Sequence, residues 1–144
     1  MVPSNTESVV SARDSRRSGT RLGTAGALLG AGFIMSVGGG YLLAPRSMAP
    51  GFGFTAWPHG EAEGFLNVKG VRDVVTGVIP FALFATGQRR ALGVTTLALA
   101  LIPTGDMLTI LMRRGSTATA LGVHGLTAAM VAASGALLLR RENR

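Results

Sequence analysis

FLNVKGVRDVVTGVIPFALFAT, from Phe65 to Thr86, has the length and apolar content of a membrane-spanning helix, yet its first half carries Lys69, Arg72 and Asp73. A helix turns about 100° per residue, so positions i, i+3 and i+4 share a face. The three charges therefore fall with Thr76, Gly77 and Pro80 on a polar or small-residue side, opposite an oily side of Leu66, Val71, Val74 and Val78. A charge near a bilayer centre costs about 2.5–3.5 kcal/mol on insertion scales, so charges kept in a span face a bundle interior and a partner. The stretch predicts one helix of a transmembrane bundle, its polar face turned inward.

The rest of the chain agrees. Only 15 % of the 144 residues are charged and 47 % are hydrophobic, with a mean hydropathy of +0.40. A soluble domain carries about 25 % charged residues. The apolar residues gather in blocks at 22–44, 65–86, 91–112 and 117–139. Each block is long enough to cross about 30 Å of hydrocarbon as a helix. The expectation is an all-α, four-helix transmembrane bundle: one membrane domain over residues 22–140, a disordered basic tail at 1–21 and a short basic tail at 141–144.

The net charge of +7 does not point to nucleic acid. Its arginines bracket the apolar blocks instead of forming a stripe interleaved with aromatics, which is the pattern of membrane topology. With no cysteine, disulfides, thiolate metal sites and cysteine nucleophiles are excluded. Arg13, Arg16, Arg17, Arg21, Arg89, Arg90, Arg140, Arg141 and Arg144 would lie on one side of the bilayer, and only Arg46, Arg113 and Arg114 on the other. Both termini are thus expected to be cytoplasmic, in a multi-pass protein of the plasma membrane. The pair Arg16–Arg17 lacks the apolar residues that follow in a twin-arginine signal, so the first block reads as an uncleaved anchor.

Several local features bear on the bundle. Gly26 and Gly30, with Ala27 and Ala31, give the first span a small-residue face for close helix packing within or between chains. Gly38, Gly39 and Gly40 should loosen or kink its end. Residues 45–64 contain three prolines and cannot span; Phe52, Phe54 and Trp57 suit an outer loop that anchors at the membrane–water boundary or acts as a lid. Pro103 should kink the third span about a turn before Asp106.

Four helices alternating in direction bring the ionisable groups to a common depth. Asp73 lies about seven residues inside one end of its span, His124 about seven and Asp106 about six, so all three sit roughly 10 Å below the same surface. Lys69 and Arg72 are slightly shallower, Tyr41 ends the first span on that side, and loop 45–64 lies above them. Three readings compete. In one, Arg72 or Lys69 pairs with Asp73 and Asp106, and the network only fixes helix register. In another, the layer heads a pocket for a lipophilic ligand with a polar head, such as a quinone or isoprenoid, bound by Lys69, Arg72, Tyr41 and Trp57. In the third, Asp73, Asp106 and His124 are catalytic, doing acid–base chemistry of the isomerase or cyclase type on a lipophilic substrate. A one-sided polar layer offers no path for transport. No cofactor is implied beyond a quinone as ligand. His59, Glu61, Glu63 and His124 lack metal-ligand spacing, so no metal is expected. The partners expected are the bilayer, a lipophilic small molecule, and a second copy or a larger membrane complex.

Three stretches carry a resemblance: NVKGVRDVVTGV (67–78), IPTGDMLTIL (102–111) and ALGVHGLTAAM (120–130). Through Lys69, Gly70, Arg72 and Asp73, Gly105 and Asp106, and His124 and Gly125, the chain resembles a family of small four-helix membrane proteins catalogued as a domain of unknown function. The general layout is also similar to that of DoxX-like proteins, some of which are linked to quinone-dependent redox complexes. The first resemblance spans roughly residues 22–140; it implies the fold and the choice of residues, and no reaction.

Overall fold

The computed structural model describes residues 5–140, with side chains from Ser18 onward. Residues 1–4 and 141–144, both expected in basic tails, lie outside the described residues. Five longer helices carry the fold, with no strand among the described residues: α1 (Asn5–Leu43), α2 (Gly64–Ala85), α3 (Arg89–Leu99), α4 (Leu101–Met112) and α5 (Leu126–Leu139). A helical turn at Thr117–Thr119 and a π-helical segment at Ala120–Gly125 lead into α5. The backbone of α1 is helical from Asn5, within the stretch for which a tail is expected.

Among the described residues, three stretches are long and apolar enough to cross a membrane: Ser18–Leu43, Arg89–Met112 and Thr117–Leu139. Helix α2 has the length, at 22 residues, but holds Lys69, Arg72 and Asp73. The outer surface is oily, with Leu29, Leu43, Leu101 and Met112 all largely exposed. Monomeric soluble proteins rarely show apolar surface on that scale. The chain has the make-up of a membrane protein.

Close packing rests on small residues. A Cβ added to Gly38 would stand 2.7 Å from the Gly70 carbonyl oxygen, and one on Gly77 would collide with Ala31 and Met35, so α1 and α2 meet backbone to backbone. Across Gly38–Gly40, α1 stays helical through to Leu43, and Gly38 serves the helix crossing. Gly23 and Gly26 seat α1 against Ser134 of α5, and Gly135 seats α5 against Leu97 of α3. At this end of the bundle Ala27, Leu92 and Leu138 form a buried cluster that Leu83 completes. Pro103 cannot donate the amide that the Leu99 carbonyl would accept, and the helix breaks between Leu99 and Leu101. The break at Ala100 lies nearly two turns before Asp106, one turn earlier than the expected kink, because Pro103 disrupts the helix on its N-terminal side.

Toward the other end the helices separate into two pairs. There α1 stays with α2, and α4 stays with the π-helical segment, but α2 scarcely touches α4 and α1 scarcely touches the π-helical segment. The result is a cleft, closed at its base by the apolar cluster and open along both flanks.

The connection between α1 and α2 roofs this cleft. It folds as a short helix (Pro45–Met48) and a tight 3-10 turn (Ala49–Phe52), ending at Gly53, whose φ of +113° favours glycine. The Gly53 carbonyl accepts from the Ser116 amide at 2.8 Å, and the Tyr41 hydroxyl reaches the Met48 carbonyl at 3.4 Å. Rooted on α1 and tied to the start of the last helical stretch, the roof bridges the two pairs. Arg46 and Glu63 close the connection at its exposed ends with a 2.9 Å ion pair.

Candidate functional site

Beneath the roof lies a cavity of about 300 Å³. Its walls are mostly apolar, from Ala27 and Val131 near the base to Ile34 and Leu99 higher up. At the roofed end they give way to Tyr41, Lys69, Asp73, Asp106 and His124. Asp73, Asp106 and His124, which the sequence sets at one depth, all line this cavity.

Each helix pair supplies one charge pair. On α2, Lys69 Nζ lies 2.5 Å from Asp73 Oδ2 across one helical turn, and the Asp73 side chain is 9 % exposed. Placement follows from a small-residue stripe: Gly70, Asp73, Gly77 and Pro80 are the buried residues of α2 and recur at helical spacing on one face. The Lys69 ammonium also rests over two aromatic rings, 4.7 Å from the centre of Tyr41 and 5.2 Å from that of Phe52. Such contacts contribute about 0.5–2 kcal/mol, more as water is excluded.

Across the cleft, Asp106 Oδ2 lies 3.6 Å from His124 Nδ1. The other ring nitrogen, Nε2, is 3.0 Å from the Phe52 carbonyl oxygen, and the imidazole stacks at a tilt on the Phe52 ring at 4.9 Å. His124 sits in the π-helical segment, whose wider turn sets the ring between Asp106 and the roof; π turns recur at functional sites. Lys69 and Asp73 are near enough for their charges to be felt at Asp106, so the two pairs form one electrostatic unit.

The sequence-derived site is not reproduced whole. Tyr41, Lys69, Asp73, Asp106 and His124 line the cavity. Arg72 does not: it is exposed on the outer face of α2 beside Val71 and Val75. An Arg72 partnership with Asp73 or Asp106 is thus not formed; Lys69 and His124 take those places. Trp57 lies away from the cavity in the outer connection, where its ring neighbours His59 at 6.1 Å. Phe52, expected in a loop that anchors at the boundary or acts as a lid, is the roof residue that contacts both Lys69 and His124. Its carbonyl is a backbone group, and no side-chain pattern could have marked it.

Comparison with known families gives one match, covering residues 31–138 and hence every residue of the cavity's charged layer. The chain belongs to the DUF4267 family, described as a domain of unknown function. No curated protein and no solved structure matches. The DUF4267 region takes in the roof, both charge pairs and, of the apolar base, Leu83, Leu92 and Leu138; it leaves out Ala27 with the rest of residues 18–30 of the first stretch.

Proposed function

We propose that this chain is a four-span membrane protein, both termini cytoplasmic, that binds a lipophilic molecule with a polar head in the roofed cleft. The head, quinone- or isoprenoid-like, sits among Lys69, Asp73, Asp106 and His124, and the tail lies along the apolar walls. The observation that carries this reading is the cavity itself, an apolar volume ending in one layer of polar groups, the form of a small-molecule site. Treating α2 as the fourth span is supported by its length and by the Lys69–Asp73 pair, which compensates two of its three charges. Arg72, exposed about 12 Å from the start of α2, can extend its side chain to the headgroup region.

A second reading has an observation of its own. An imidazole beside a carboxylate, at 3.6 Å inside a cavity, is equipped for acid–base chemistry on the same ligand. The deciding experiment is thermal stability of the detergent-purified protein, wild type and His124→Gln, across a panel of quinones, isoprenoids and lipids. A ligand that raises the wild-type midpoint and not that of the variant supports binding at the charged layer. If no ligand shifts either protein while the variant alone is less stable, the layer is a structural lock.

A further inference from the structure

The charge balance and the openings of the cleft together define what kind of head it takes, if the binding reading above holds. The Phe52 carbonyl can only accept, so His124 Nε2 carries a hydrogen and points it at the roof. Nδ1 then faces the Asp106 carboxyl at 3.6 Å. Here the acid and the base of this wall stand side by side, each the other's partner. Lys69 and Asp73 compensate each other in the same way. Arg72, the remaining cation of α2, is outside the cavity. The head of the cleft therefore offers donors and acceptors, with each carboxylate already matched by a base.

The roof adds a size limit. Met48, Gly51 and Phe52 line the roofed end of the cavity, and Phe52 is held in place by His124. A bulky head that must stay in water does not fit beneath it. The flanks are different. Phe33 of α1 and Val123 of the π-helical segment both line the cavity, yet each is about half exposed. They belong to α1 and the π-helical segment, which scarcely touch each other, and packing of Gly30 toward Val131 closes the gap between α1 and α5.

We propose that the ligand is a bilayer-resident lipid with a small, uncharged, hydrogen-bonding head. The head lies wholly under the roof, and the tail enters and leaves sideways between Phe33 and Val123. Anionic and cationic heads are disfavoured for the same reason: each would find its counter-charge already paired.

Three probes sharing one tail test the head: farnesol, farnesyl phosphate and farnesylamine, each titrated into wild-type protein in nanodiscs with thermal midpoint as the readout. Farnesol should raise the midpoint, and the two charged forms should bind at least tenfold more weakly. Stronger binding by the phosphate or the amine overturns the neutral-head assignment while leaving the binding function intact. Binding by none of the three overturns the binding reading on which the inference rests. The route is tested with Phe33→Cys/Val123→Cys, joined by a flexible bis-maleimide; the chain has no other cysteine. The control is the same double variant left unlinked, and the linked protein should take up farnesol at least tenfold more slowly than that control. Val123→Trp, which narrows the same gap without a link, should slow uptake in the same direction. Uptake at the wild-type rate in both the linked protein and Val123→Trp overturns the side entrance.

Discussion

His124 Nε2 lies 3.0 Å from the carbonyl oxygen of Phe52, a contact that joins residues 72 positions apart and holds the roof to the far wall of the cleft. The roof is thus fixed at one point by a side chain that also belongs to the charged layer. Replacing His124 by Leu removes the donor and leaves the Phe52 carbonyl unpaired, at a cost of about 1–3 kcal/mol. Amide hydrogen exchange over residues 47–53 should accelerate in this variant, with α3 and the base of the bundle unchanged.

Lys69 and Asp73 are expected to behave as a unit. Asp73→Leu alone leaves an ammonium largely out of water without its carboxylate and should destabilise by about 3–5 kcal/mol. Lys69→Met/Asp73→Leu removes both charges and should recover most of that loss. Unfolding in denaturing detergent, run as a double-mutant cycle, measures the coupling; strict additivity would show that the pair does not interact.

Arg72→Leu gives the opposite expectation. The side chain is exposed on the outer face of α2 and makes no ion pair among the described residues, so stability should stay within about 0.5 kcal/mol of wild type. Combining it with Asp106→Leu should give the sum of the single effects. A rescue in that double variant would place Arg72 in the cavity after all.

Neighbouring glycines on α1 should differ sharply. A Cβ on Gly38 would press on the Gly70 carbonyl, while one on Gly39 would meet nothing within 4 Å. Gly38→Ala should cost about 1–3 kcal/mol through overpacking. Gly39→Ala should be neutral or stabilising by about 0.5–1 kcal/mol, since alanine loses less backbone entropy in a helix. Thermal midpoints of the two variants side by side check both.

Much of this arrangement was legible in the sequence, for stated physical reasons. Apolar blocks long enough to span and a proline before Asp106 are one-dimensional signals. Depth along a helix is also linear in residue number, which is why Asp73, Asp106 and His124 could be set in one layer. Azimuth was harder. Arg72 and Asp73 are adjacent, 100° apart, and nothing in their charges says which one faces inward. The information lay in Gly70 and Gly77: small residues three before and four after Asp73 mark the face where another backbone comes close, and Arg72 is off that line. The π-helical segment around His124 and the use of the Phe52 carbonyl had no comparable signal. Both depend on tertiary contacts between segments far apart in the chain.

The apolar base of the cleft has an electrical consequence. Ala27, Leu83, Leu92 and Leu138 fill the bundle on the side away from the charged layer, so in a bilayer the low-dielectric thickness lies beneath the ligand head. Most of a transmembrane voltage falls across that base, and the charged layer sits near the potential of the compartment above it. Moving a full charge through the whole field is worth about 2.3 kcal/mol per 100 mV, whereas a neutral head sliding in at constant depth moves almost none. On the proposed binding reading, loading and unloading of the cleft is therefore an electrically silent event, indifferent to whether the membrane is energised.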